Sequence, residues 1–191
     1  MNYIEYTNSK LEEIAKIGND YRILIVGSGY RPNYVPSNLF VMQNDPTKDL
    51  AEWCDLFKNS TYFIPFHYII MCRVFEHLAI RQIDWYLYQL YTILYKQGGL
   101  WLLVPNMEAV HDKLKEEYNK ENPDDFLIKR LSYEIFNEGN HLWDKHSIWT
   151  SKQSVIYHLE KEQLFMAEAT DEITIDSEII PPQIEVKAWR K

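Results

Sequence analysis

Three short stretches carry the side chains that could do chemistry. In "MCRVFEHL", Met71 to Leu78, Cys72 and Arg73 close an apolar run, and Glu76-His77 follow three positions after the arginine. In "GNHLWDKHSIWT", Gly139 to Thr150, two histidines stand five residues apart. An imidazole titrates near pH 6.5, so His77, His141 and His146 are candidate bases at neutral pH. Each also has a plainer reading. Glu76 can complement a helix start, His141 and His146 can be loop residues without chemistry, and Cys72 and Cys54 can be small core residues.

The third stretch is "RILIVGSGYRP", Arg22 to Pro32, where an apolar strand stops at Gly27-Ser28-Gly29. Glycines there let the backbone approach a ligand where a side chain would collide, or they serve a tight turn. The third glycine of a dinucleotide loop is missing and no Gly-Lys-Ser/Thr follows, which excludes a P-loop. A pyrophosphate is poorly served. A nucleoside ligand without phosphates suits the loop better.

The elements that must hold these residues can be read from periodicity. "SKLEEIAKI", 9–17, predicts a helix capped by Ser9 and Glu12 and ended by Gly18-Asn19. Strands follow at Arg22 to Val26 and Leu39 to Met42. The nine residues Tyr30 to Asn38 between them include two prolines and leave no room for a full crossover helix. Leu50, Trp53, Cys54 and Phe57 share a helical face. "HYIIMC" is a strand. Ile83, Leu87, Leu90, Tyr91 and Leu94 share a helical face that Gly98-Gly99 would stop, and a strand runs from Leu100 to Val104. The aromatic side chains of that helix (Trp85, Tyr86, Tyr88, Tyr91 and Tyr95) read as packing plus a wet face. Asn106 reads as a helix cap. A helix over 151–162 and strands at Leu164 to Ala169 and Ile184 to Trp189 complete the pass. The expectation is an α/β fold: a mostly parallel sheet with an antiparallel last strand, helices on both faces and a shortened first crossover.

Composition bounds the partners. The 191 residues, 46% apolar, suffice for one core, so residues 1–191 are expected to form a single domain, with an N-terminal helix in 1–20 and a helical insertion over 107–150. The net charge of −8 and the lack of a Lys/Arg cluster disfavour nucleic acid. Two cysteines cannot build a disulfide framework, and no metal-type Cys/His spacing occurs. With no long apolar run and no signal pattern, the expectation is a cytoplasmic protein without a membrane partner. The sequence leaves the oligomeric state open.

The 68–106 block resembles the class I S-adenosylmethionine-dependent methyltransferases. That family carries Glu-His-Leu after a strand, here Glu76-His77-Leu78, then Leu-x-x-Gly-Gly, here Leu94 and Gly98-Gly99 with one residue more between them, then Val-Pro-Asn or Val-Pro-Asp, here Val104-Pro105-Asn106. The G-x-G-x-x-P loop is similar to that of a subgroup of small predicted methyltransferases. "GNHLWDKHSIWT" is similar to the His-containing loop those proteins carry. The resemblance implies a Rossmann-like sheet and S-adenosylmethionine as cofactor. It implies that Gly27, Ser28, Gly29, Tyr30, Cys72 and either Gln43 or Asp45 hold the cofactor, a carboxylate suiting the ribose diol best. Arg73 and His77 would serve catalysis, and Glu76, Asn106, His141 and His146 would meet a small-molecule, sugar or peptide acceptor. Three positions depart from the family pattern: Ile25 and Gln43 stand where acids are usual, and His67 replaces an aspartate.

Two other readings compete. The departures suit an inactive methyltransferase-fold module for binding or structure. Asp45, 18 positions after Gly27, suits a dinucleotide oxidoreductase, against which the short crossover and missing glycine count.

Overall fold

The structure, a computed structural model, describes residues 2–27, 32–44, 65–78, 80–81, 83–136, 148–173 and 182–191. Ser28, Gly29, Tyr30, Asp45, His141, His146 and the helix expected around Trp53 lie outside them.

The chain opens with α1 (Tyr3–Ile17), which begins six residues before the expected Ser9 cap. Asn2 is the cap instead. Its side chain accepts from the Glu5 amide and Glu5 accepts from the Asn2 amide, each at 2.9 Å. Ser9 is internal, its hydroxyl donating to the Tyr6 carbonyl. The helix extends because its first turns also bury: Tyr3 and Tyr6 pack on Cys72 and Leu103.

Strands β1 (Tyr21–Val26), β2 (Leu39–Asn44) and β3 (Phe66–Cys72) follow. β1 pairs in parallel with both others, and no helix occurs in 32–38, so the first crossover is short as expected. A 3₁₀ turn, Phe75–His77, leads to α2 (Ile83–Ile93) and β4 (Leu94–Pro105). Then come α3 (Met107–Tyr118), α4 (Asp125–Phe136), α5 (Lys152–Glu160), β5 (Phe165–Ile173) and β6 (Gln183–Arg190). The described strands form one sheet in the order β2-β1-β3-β4-β6-β5. β6 runs antiparallel between β4 and β5.

The expected role of Gly98-Gly99 needs correcting. The helix ends at Ile93 and β4 already starts at Leu94. Leu94 pairs with Phe66 and Gly99 with Tyr68, so β4 spends five residues where β3 spends two. Tyr95, Lys96 and Gln97 form the resulting exposed bulge, with Gln97 at φ 66°. The glycines return the chain to the ladder. A Cβ on Gly99 would lie 2.7 Å from the Tyr68 ring, and one on Gly98 would lie 3.0 Å from the His67 carbonyl. Close packing, not a helix stop, selects them.

Strand alternation distributes the core to both faces. Leu24, Val26, Ile69, Met71, Leu100 and Leu102 face α2 and α5, where Ile83, Leu87, Val155 and Leu159 meet them. Ile23, Ile25, Ile70 and Trp101 face α1 through Leu11 and Ile14. Helices thus cover both faces. α3 and α4 form a hairpin with a small core of their own, Val110, Leu114 and Leu131.

Candidate functional site

In parallel α/β sheets, ligands bind beyond the carboxyl ends of the strands. Here that edge gathers the ends of β1, β2, β3 and β4 with the start of β6.

β1 ends at Gly27, whose φ of 137° is open to glycine alone. A Cβ there would sit 2.8 Å from the Cys72 carbonyl oxygen and 3.2 Å from the Val74 side chain. Close approach of β1 to the chain leaving β3 therefore requires the glycine. β2 brings Gln43 and Asn44 to the same edge, in register with Ile25 and Val26. Ile25 itself is buried among Leu11, Ile14 and Ile70.

β3 ends at Cys72, which is fully buried. Desolvation pushes its thiol well above the ordinary range, and the neighbouring Glu76 carboxylate adds to the effect. Cys72 is thus a neutral packing group, not a nucleophile. Arg73 then adopts φ 56°, and its amide donates to the Leu103 carbonyl at 2.9 Å. That fixes the backbone as it leaves the sheet. In the guanidinium, Nε donates to Glu76 Oε1 at 2.7 Å, and Nη1 donates to the Tyr3 hydroxyl at 3.1 Å.

Glu76 is 0% exposed, and its Oε2 has no hydrogen-bond partner among the described residues. A buried carboxylate oxygen left bare costs free energy, and a donor placed against it would recover that cost. His77 lies beside it, Nε2 at 3.9 Å from Glu76 Oε1, with its side chain partly exposed. Glu76 and His77 stand on one turn because the His77 amide bonds the Val74 carbonyl, closing the 3₁₀ turn.

β4 ends at Pro105, and Asn106 caps α3 through its side-chain oxygen to the Ala109 amide. The Asn106 amide bonds the Pro182 carbonyl just before β6. Residues 148–150 strap this edge together. The Ile148 amide donates to the Glu76 carbonyl, the Met107 amide to the Thr150 carbonyl, and the Thr150 hydroxyl to the Pro105 carbonyl at 2.6 Å.

The structure thus brings Gly27, Cys72, Arg73, Glu76, His77 and Asn106 to one edge with the backbone of Gln43. Sequence reasoning missed Tyr3 and the 148–150 strap. Tyr3 carried a signal, because Asn2-x-x-Glu5 is itself a capping box. The strap is the end of the Gly139 to Thr150 stretch that the sequence singled out for its histidines, and nothing local announced its backbone bonds to Glu76 and Met107. His67 belongs elsewhere. It stands at the opposite, amino end of β3, its Nδ1 accepting from the Arg22 amide at 3.0 Å and its ring stacked on Tyr95. Burial lowers its pKa. The histidine in place of the family's aspartate therefore lies away from the candidate site. No group of three His, Cys, Asp or Glu among the described residues could hold a metal ion.

Comparison with known proteins rests on structure. No protein-family model matches the chain, and no curated protein matches its sequence. Solved structures do match. A 1,6-didemethyltoxoflavin-N1-methyltransferase from Burkholderia thailandensis superposes with a TM-score of 0.57 at 12% identity, over 99% of this chain and 78% of that one. A SAM-dependent methyltransferase from Archaeoglobus fulgidus gives 0.55 at 13% identity, over 98% and 94%. The CurJ carbon methyltransferase gives 0.55 at 14%, and this chain spans 54% of that structure's chain. The chain has the methyltransferase fold. At such identities the likeness establishes architecture: a Rossmann-like sheet whose last strand runs antiparallel inside the edge pair. No helix among the described residues is long and apolar enough to cross a membrane.

Proposed function

We propose that the protein is a cytoplasmic S-adenosylmethionine-dependent methyltransferase acting on a small-molecule, sugar or peptide acceptor. The observation that carries this reading is the carboxyl edge of the methyltransferase-type sheet, where a bare, buried Glu76 oxygen stands beside His77.

The donor set fits the cofactor. Glu76 offers an acceptor to an ammonium or hydroxyl group. Gln43 and Asn44 close β2, where the resemblance implies ribose contacts. Gly27, Ser28, Gly29 and Tyr30 would follow the methionine portion, and Asp45 is the alternative partner for the diol.

S-adenosylmethionine, when bound, supplies a methyl group already activated on a sulfonium. The chain must then align an acceptor within roughly 3–3.5 Å of the transferred carbon and in line with it. Residues of the 107–150 segment, with Asn106, His141 and His146, would shape the acceptor pocket. His77 would take the acceptor's proton, with the Glu76 carboxylate 3.9 Å from its Nε2. Arg73 holds that carboxylate in place through Nε. Cys72 stays a thiol and keeps the strand end dry.

One observation favours a binding or structural module instead: the Gly27 contacts explain that glycine without any ligand. Calorimetric titration separates the readings. Micromolar binding of S-adenosylmethionine and S-adenosylhomocysteine, lost in Gly29→Trp and absent for NAD, is expected. Protein free of retained adenine absorbance that binds neither compound would overturn the methyltransferase reading. Binding of NAD instead would point to an oxidoreductase.

A further inference from the structure

The sheet-facing side of α1 carries an unusual stripe. Tyr3, Tyr6, Lys10 and Glu13 follow one another at three, four and three residues, which sets them on one helical face. Three of the four meet charged residues of β6. Glu185 is 3% exposed, accepts from the Tyr6 hydroxyl at 2.6 Å and pairs with Lys10 at 2.5 Å. Lys187, two residues on and so on the same strand face, pairs with Glu13 at 2.9 Å. Both ammonium groups lie over the buried Trp101 ring, at 5.5 and 4.8 Å from its centroid.

An ion cluster with a buried carboxylate at its centre is weak evidence for stability, because desolvation offsets the attraction. It is strong evidence for register. A helix held by Leu11 and Ile14 alone could slide or rotate by a fraction of a turn at little cost. One held by three directional contacts to two β6 side chains cannot. The fourth member of the stripe, Tyr3, lies one turn before Tyr6, and its hydroxyl receives Arg73 Nη1.

We propose that Tyr3 is a positioning residue for the Arg73–Glu76 pair, and that Glu185 sets its place by pinning α1 to β6. Removing the Tyr3 hydroxyl takes one hydrogen bond from the guanidinium and loosens its hold on Glu76. The 3₁₀ turn bearing Glu76 and His77 then loses its outer support. Glu185 acts through α1 on the same turn, although it lies on a different strand. The structural claim is independent of the ligand, and its consequence for cofactor affinity rests on the methyltransferase reading.

Hydrogen exchange on Tyr3→Phe and Glu185→Gln tests it, read at the His77 and Leu78 amides that close the turn and at the amides of α1. Tyr3→Phe is expected to speed exchange at the two turn amides about fivefold while leaving α1 protection and the Tm unchanged. Glu185→Gln is expected to speed exchange in α1 and in the turn together. Turn amides that exchange at the wild-type rate in Tyr3→Phe would overturn the proposal, as would Glu185→Gln loosening α1 with no change in the turn. If Glu185→Gln does not fold, Lys187→Met serves in its place. Titration with S-adenosylhomocysteine on the same proteins is expected to show about a fivefold weaker Kd in Tyr3→Phe, a change that lost stability alone would not produce. A wild-type protein that binds no cofactor fails the methyltransferase reading, while the exchange rates still decide the positioning claim.

Discussion

The two ends of β3 show opposite treatments of a polar residue. At the amino end, His67 is partly exposed, its Nδ1 takes the Arg22 amide and its ring stacks on Tyr95 at 5.0 Å. Its one demanding atom is satisfied. At the carboxyl end, Arg73 sits at a positive φ and Glu76 is buried with one oxygen unpartnered among the described residues. Natural folds leave few buried acceptors unpaired, and local strain persists only where the surroundings over-determine it. The amino end also keeps a group unpartnered among the described residues, the buried Arg22 Nη1, but there it is a cation's nitrogen near the Phe66 ring, whereas the carboxyl end presents a carboxylate oxygen. The carboxyl end is where this fold class binds ligands.

Substitutions can test this contrast. The largest effect is expected from Arg73→Met, which leaves the Glu76 carboxylate buried without its counterion. Unfolding in urea should show a loss of about 3–5 kcal/mol, largely recovered in the Arg73→Met/Glu76→Leu double variant. A loss below about 1 kcal/mol would mean that Glu76 reaches water and is not sealed.

Next comes Gly27→Val. It places a branched side chain at φ 137° against the Cys72 carbonyl. A loss of about 2–4 kcal/mol is expected from backbone strain and overpacking. A neutral result would show that the β1 turn relaxes easily, leaving ligand contact as the reason for the glycine.

At the amino end the effects should be smaller. His67→Phe keeps a ring against Tyr95 but strands the Arg22 amide, a loss of about 1–2 kcal/mol. Cofactor titrations on that variant should match the wild type. Weakened binding would break the distinction between the two ends.

The smallest effect is in the pH dependence. Burial lowers the His67 pKa below its ordinary 6.5, and a protonated Nδ1 could not accept from Arg22. The unfolded chain therefore binds the proton more readily. The stability His67 provides is complete above pH 6.5 and is lost as pH falls from there through its folded pKa. Burial and Lys161 lower His158 in the same direction. Thermal melts from pH 8 to 5 should show declining Tm, with a shallower decline in His67→Phe. An unchanged slope would remove His67 from the account.

Much of the fold was legible because periodicity reports burial directly. The strands and the face of α2 follow from alternation and from the Ile83–Leu87–Leu90 spacing. Legibility failed where a residue's meaning depends on a distant partner. Gly98-Gly99 is a natural helix stop until the Tyr68 ring fills the space a side chain would need. Ser9-x-x-Glu12 and Asn2-x-x-Glu5 are equivalent capping signals, and only the burial of Tyr3 and Tyr6 decides between them. Ile184 to Trp189 reads as a strand from sequence, with no sign of where its charged residues go. In fact Glu185 and Lys187 point under α1, where ion pairs replace solvent.

The candidate site divides in the same way. Cys72-Arg73 and Glu76-His77 could be placed at a strand end from sequence alone, because an apolar run that breaks into charges marks the edge of a core. The sequence by itself thus determined the order of strands and main helices, though not where α1 and β4 begin, and the four residues at the end of β3. Only the tertiary structure decided that Tyr3, 70 positions away, meets Arg73, that the Ile148 amide bonds the Glu76 carbonyl, and that Glu76 keeps one oxygen bare among the described residues. The physical reason is range. Hydrophobic patterning acts through neighbours three or four residues apart. Hydrogen bonds at a sheet edge join chain segments that share no local signal and meet only when the strands are in order.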